Sequence, residues 1–244
     1  MTPAQVLDRI RSRYTDDPEC AGDDSYALWS NSEVYDAIDE AQKSLALDTK
    51  ILRDARTSSI VDLTLSADDP WVDLSSKIIE IKRARLTSPT TRKLTILNYE
   101  DMDQGSVNFN DYYNVNTSSS WEDSSGTPRA IILNMDEGSA RIYPTPDASG
   151  TIKLVVVRLP ITTVSEATKT EDLEFDDVWK NAITFGALRE LYMKMDSDES
   201  GEGVDTQRAR DFGVMYNREV IKAKRFRNEK QFKTGGTVTY GGIR

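Results

Sequence analysis

Apolar residues recur at three- and four-residue steps near both ends of this 244-residue chain, and at strand-like spacings through its middle. That change of period constrains the fold more than any other feature. An amphipathic helix buries one stripe and needs a partner for it. Helices from the two ends must therefore meet in one bundle, with the extended middle inserted between them. The predicted class is α+β: residues 1–56 and 161–232 as a helical bundle, residues 57–160 as an inserted β-rich lobe, and residues 233–244 as a flexible or extended C-terminal tail. No internal repeat is visible.

The first helix is expected from Thr2 to Tyr14, with Val6, Leu7 and Ile10 as its stripe, followed by an acidic loop at 15–27. Ser30 and Glu33 form a capping box, with Trp29 and Val34 at the positions of a hydrophobic staple, so the second helix starts near Ser30. Val34, Ile38, Ala41, Leu45 and Leu52 carry its apolar face to about Arg53. Strands are expected at Ile60–Leu65, Ile78–Leu86, Lys93–Leu97, Arg129–Met135, Ala140–Tyr143 and Thr151–Leu159. Two prolines and Gly150 make 143–150 a turn, and the polar stretch 99–128 reads as a long loop. After Pro160, Asp176 and Asp177 mark a helix start, and Val178, Ala182, Phe185, Leu188, Tyr192 and Met195 supply its apolar face. A last helix from about Asp205 to Lys230 places Phe212, Tyr216, Ala223 and Phe226 in register and packs antiparallel to the one before it.

Composition excludes several function classes. The chain carries 41 acidic and 31 basic side chains, a net charge of −10, which excludes a globally basic nucleic-acid binder. No apolar run is long enough to cross a bilayer. With no histidine, every Ser-His-Asp or Cys-His mechanism and the usual zinc sites are out. Cys20 is the only cysteine and has no possible internal partner, which fits a reducing compartment. No basic region followed by an apolar core opens the chain, so no signal peptide is expected, and a cytoplasmic site of synthesis is implied.

Three features remain as candidate sites. Asp196, Asp198 and Glu202, with Ser200 and Gly201, resemble the start of a calcium loop between helices. Such a loop needs a bidentate Glu at its twelfth position, and Gln207 stands there; a solvated acidic connector is the favoured reading. The carboxylate pairs Asp68-Asp69, Asp101 with Asp103, and Asp176-Asp177 suit solvated faces and helix starts better than acid/base catalysis. The glycines never fall into a phosphate-loop pattern. No catalytic residue, metal or cofactor is assigned. The third feature is charge: residues 201–244 hold ten bases against five acids, in a chain that is otherwise acidic. Arg218, Lys222, Lys224, Arg225 and Arg227, with Phe232, form a basic helical surface suited to an acidic protein partner, to phosphates, or simply to water.

Several segments together resemble the head-to-tail adaptor proteins of tailed bacteriophages, also called connector or tail tubular protein A. They are Trp29-Ser30-Asn31-Ser32-Glu33-Val34, Ile38-Asp39-Glu40-Ala41-Gln42, Gly126-Thr127-Pro128-Arg129 and Ile142-Tyr143-Pro144-Thr145-Pro146-Asp147. The apolar strand ending at Pro160 and the terminal helix pair, through Leu191-Tyr192 and then Tyr216 to Lys224, follow in the same order. Residues 99–118 are unmatched, and Asp39 stands where Asn is common.

The resemblance implies a non-enzymatic ring, usually dodecameric, beneath the portal of the filled capsid. It would complete the head, retain DNA and offer a platform to the next tail or neck protein. Expected partners are the portal protein, the next tail protein and further copies of the chain. DNA would pass through without specific binding, and no membrane is involved. The expected location is the virion neck or tail, assembled in the host cytoplasm. Arg218, Lys222, Lys224, Arg225, Arg227 and Phe232 are the expected portal-docking residues. The alternatives are a tail tube or tail-completion protein, a calcium-binding module, and a carboxylate-dependent tail-associated hydrolase.

Overall fold

The computed structural model describes residues 1–14, 28–103, 121–195 and 204–233. Its helices are α1 (Pro3–Tyr14), α2 (Asn31–Thr49), a single turn α3 (Ser58–Val61), a short α4 (Tyr99–Asp103), α5 (Lys180–Met195) and α6 (Val204–Lys233). The chain forms two compact units, Met1–Leu52 with Leu159–Arg244, and Arg53–Arg158. Helices from both ends pack together in the first, and a sheet fills the second, so the fold is mixed α+β as the change of period predicts.

In the helical unit, Val6, Leu7 and Ile10 of α1 are buried, as are Val34, Ile38, Ala41 and Leu45 of α2. The Ser30 hydroxyl accepts from the Glu33 amide at 3.3 Å, and a Glu33 carboxylate oxygen accepts from the Ser30 amide at 3.0 Å, completing the capping box. The C-terminal end of α2 comes earlier than Arg53. Lys50 turns left-handed at φ 52° and donates its amide to the Ala46 carbonyl, which stops the helix at Thr49. Helix α5 packs on both α2 and α6. Gly186 permits this approach: a Cβ there would lie 2.9 Å from the Ala41 Cβ and 3.4 Å from the Tyr216 ring. Five aromatic side chains tie the unit together. Phe212 stacks on Tyr192 and Phe185 with centroids 5.5 and 6.4 Å away, while Tyr14 and Trp29 meet this group edge-on.

Two expected core positions are on the surface. Val178 is 70% exposed, because α5 is preceded by a 3-10 turn, Asp177–Trp179, that sends Trp179 inward instead. Phe226 is 41% exposed and meets Trp179 edge-on at 5.7 Å. The positions of Met195 and Phe232 within their helices are described, but their side chains lie outside the described residues, as do Cys20 and the tail from 234 onward.

In the second unit the strands are β1 (Arg53–Asp54), β2 (Asp62–Leu65), β3 (Trp71–Asp73), β4 (Ile78–Ser88), β5 (Arg92–Asn98), β6 (Ser125–Gly126), β7 (Ala130–Leu133), β8 (Ser139–Tyr143), β9 (Thr145–Pro146) and β10 (Gly150–Arg158). The main sheet has the order β1-β10-β4-β5-β7-β8-β3, with β2 also pairing β10. Only the β5–β7 pair within it is parallel. Its core includes Leu63, Leu86, Leu94, Ile131, Ile142 and Ile152. The incomplete alternation of 78–86 has a physical source. The β4–β10 register shifts between Val155 and Val156, so Arg83 and Ile81 are successive partners and Lys82 is the extra residue of a bulge. The bulge puts Ile81 and Ala84, three apart, both in the core.

The strand expected at Ile60–Leu65 begins only at Asp62, because Ser58–Val61 closes a helical turn that buries Ile60 and Val61. The three-residue β3 was not anticipated; it is too short to show a period. The expected turn at 143–150 holds β9, which pairs in parallel with β6 from within the expected loop. That loop also contains α4 and a 3-10 turn, Trp121–Asp123, and its centre, 104–120, lies outside the described residues.

Candidate docking face of the C-terminal helix

Helix α6 turns one side to the bundle and the other to solvent. Ala209, Tyr216, Val220 and Ala223 are buried. Two side chains fix its position on α2. The Tyr216 hydroxyl donates to the Asp48 carboxylate at 2.9 Å, and Arg227 Nη1 donates to the Thr49 carbonyl at 2.8 Å. The second bond supplies a partner to a carbonyl at the end of α2, where none exists within the helix. Burial, and then the neighbouring Asp48, push the Tyr216 hydroxyl well above its ordinary pKa, so it remains a proton donor. Arg189 of α5 covers the Tyr216 ring at 4.9 Å, and Arg208 covers Tyr192 at 5.7 Å.

The opposite side carries Val214, Arg218, Ile221 and Arg225 at three- and four-residue steps, all exposed. Val214 and Ile221 are each about half exposed (51% and 50%), and Met215 beside them is exposed too. Met215 and Lys222 flank this stripe, and with Phe185 of α5 they line an open groove of about 500 Å³. Lys222 Nζ contacts Glu219 at 2.6 Å. Lys224 is exposed on the other flank. The face thus alternates cations with apolar side chains that water would otherwise cover, the composition of a protein-binding surface rather than a phosphate track.

Of the residues singled out in the sequence, Arg218, Lys222, Lys224 and Arg225 share this outer surface. Arg227 points to the other side and is spent on Thr49. The acidic turn with Asp196, Asp198 and Glu202 lies outside the described residues. Among the paired carboxylates, Asp69 accepts from the Trp71 amide at 3.0 Å and Asp101 from the Asn98 amide at 3.2 Å, both local turn bonds. Among the described residues no three of His, Cys, Asp and Glu gather to hold a metal, and no helix is long and apolar enough to cross a membrane. Sequence reasoning missed the apolar half of this outer face. Val214, Met215 and Ile221 were legible as an off-register second stripe, but only against a helix whose inner face was already known.

The order of helices and strands and the adaptor-like segments converge on one comparison. The sequence profile described as SU10 adaptor protein matches residues 1–237. The chain belongs to the SU10 adaptor protein family. No individual curated protein matches it. The SU10-type adaptor is a phage protein that joins other virion proteins, and membership in the family points to a structural, non-enzymatic part.

Proposed function

We propose that this adaptor joins head to tail as a homo-oligomeric ring, dodecameric in the usual arrangement, beneath the portal in the virion neck. There it completes the head, retains the packaged DNA and receives the next tail protein. The portal-docking surface in this reading is the outer side of α6, with Arg218, Lys222, Lys224 and Arg225 meeting carboxylates and the apolar stripe seated in a pocket of the partner. Arg227 contributes by holding α6 to α2, and Phe232 completes the proposed docking set. The observation that carries the reading is the outward stripe Val214–Arg218–Ile221–Arg225 on a chain whose residues 1–237 match an adaptor family. Cations at the rim set association rate and register, and the apolar residues supply the burial.

The test is co-sedimentation of the purified chain with portal rings. The variant Arg218→Glu/Ile221→Asp/Arg225→Glu alters only exposed side chains, so it is expected to unfold at the wild-type temperature and to lose portal association. Unchanged co-sedimentation of this folded variant would remove the docking role from α6. Electron microscopy of the mixture reads the ring directly: a closed ring on the portal supports the reading, and scattered single copies contradict it.

A further inference from the structure

The sheet unit carries a second basic surface that the docking reading does not use. Lys93 on β5 stands directly opposite Arg85 on β4, and Arg85 stands directly opposite Lys153 on β10. Residues directly opposite share a face, so three cations form one row across three strands, spanning roughly 10 Å. All three are exposed, and so is Arg83, two residues along β4 on the same face. Lys153 has Asp62 at 3.8 Å, on β2 at the end of the row. The Arg83, Arg85 and Lys93 side chains have no hydrogen bond or ion pair among the described residues. Like charges directly opposite in a sheet weaken it. A chain with 41 acidic side chains could have placed one beside them.

Hydroxyls surround the row, with the half-buried Val155 opposite Arg83. Thr87, Thr90, Thr91 and Thr95 are exposed around the row. The large exposed apolar side chains of this unit are Trp71 and Tyr99, neither on β4, β10 nor β5. A protein partner needs a central apolar or aromatic anchor, and this surface offers none. Arg, Lys and Thr are what contact phosphate oxygens. The composition is thus the reverse of that on α6.

We infer that the Lys93–Arg85–Lys153 row, with Arg83, is a sequence-independent contact for the phosphate backbone of duplex DNA. The choice of duplex DNA as the polyanion rests on the adaptor reading; the phosphate chemistry does not. Few contacts on an acidic protein make the interaction weak and strongly salt-dependent, so it steadies DNA without gripping it.

The full-length protein is titrated into a fluorescein-labelled 30-bp duplex and followed by anisotropy at 50 to 200 mM NaCl. Three phosphate contacts, one each from Arg83, Arg85 and Lys93 since Lys153 faces Asp62, give a slope of log K against log[NaCl] of about −2.7, a loss of roughly 40-fold across that range. Arg85→Glu/Lys93→Glu is expected to weaken binding at 50 mM NaCl at least tenfold and to flatten the slope by about 2. Its thermal midpoint should match that of wild type, because one like-charged opposed pair replaces another, which separates lost contact from lost fold. Arg218→Glu/Arg225→Glu should bind DNA as wild type does, whatever it does to portal association. No wild-type binding, an unaffected Arg85/Lys93 variant, or loss of binding in the α6 variant would each overturn the inference. So would poly-glutamate captured through Arg85 and Lys93 while DNA is not, which would assign the row to an acidic protein.

Discussion

Asp39 is a buried carboxylate whose bonds explain both its burial and its charge. It accepts from the Val164 amide at 2.7 Å, from Gln42 Nε2 at 2.9 Å and from Lys43 Nζ at 2.7 Å. Burial would raise its pKa, but the bonds from Lys43, Val164 and Gln42 outweigh it and hold the carboxyl below its ordinary 3.8. Asp39→Ala strands the Val164 amide and should cost about 1–3 kcal/mol in urea unfolding, whereas Asp39→Asn keeps an acceptor and should cost less. Glu33 gives the pH-dependent case. Hydrogen bonds from Lys194, the Ser30 amide and the Ser30 hydroxyl lower its pKa from 4.5 to about 2. A depressed folded pKa means stability that is present above 4.5 and lost as pH falls toward 2. Melting temperatures between pH 2 and 6 should therefore fall less steeply for Glu33→Gln, which keeps the capping box. Lys93→Thr relieves the charge opposed to Arg85 and should stabilise the sheet by about 0.2–1 kcal/mol, read in the same titration. The Ser30–Glu33 box was legible because its partners are three residues apart. The bond from Val164 to Asp39 was not, because 125 positions separate them.

At the scale of elements, α6 is held by contacts that its own sequence does not announce. Its basic residues sit at helical spacing and were readable as a surface. That Arg227 turns inward depends on Thr49, 178 positions earlier. Similarly, the Lys93–Arg85–Lys153 row depends on the register of three strands, which no single strand encodes. The α2–α5–α6 crossing leaves no room beside Gly186. Gly186→Ala gains about 1 kcal/mol of helix propensity. Forcing its methyl against Ala41 and Tyr216 costs about 1–3 kcal/mol, so denaturant unfolding should show a net loss of about 1 kcal/mol. The strands that were readable, such as Ile78–Leu86 and Thr151–Leu159, are long and apolar. Short elements such as β3 and α3 are set by their neighbours and leave too few residues to show a period.

For the whole molecule, the chain enters and leaves the sheet unit at adjacent points. Arg53 pairs with Val157 and Asp54 with Val156 in antiparallel register. Arg158 Nε donates to the Asp54 carboxylate at 2.7 Å, which also accepts from the Thr57 hydroxyl at 2.6 Å and the Arg56 amide at 2.8 Å. Burial opposes the charge on Asp54, but bonds from Thr57, Arg56 and Arg158 keep its pKa well below the carboxylate range. Residues 53–158 expressed alone should therefore fold with a single cooperative urea transition by circular dichroism. Asp54→Ala should shift that transition to lower urea, because it removes the acceptor shared by Arg158 Nε, the Thr57 hydroxyl and the Arg56 amide. A fragment lacking Met1–Leu52 should show no such transition in the helical unit, because α5 would lose its packing against α2. Because its first and last strands are hydrogen-bonded neighbours, the sheet unit is latched at the point where the chain enters and leaves it. Mutation can therefore lengthen, recharge or replace the strands between while that latch stays shut.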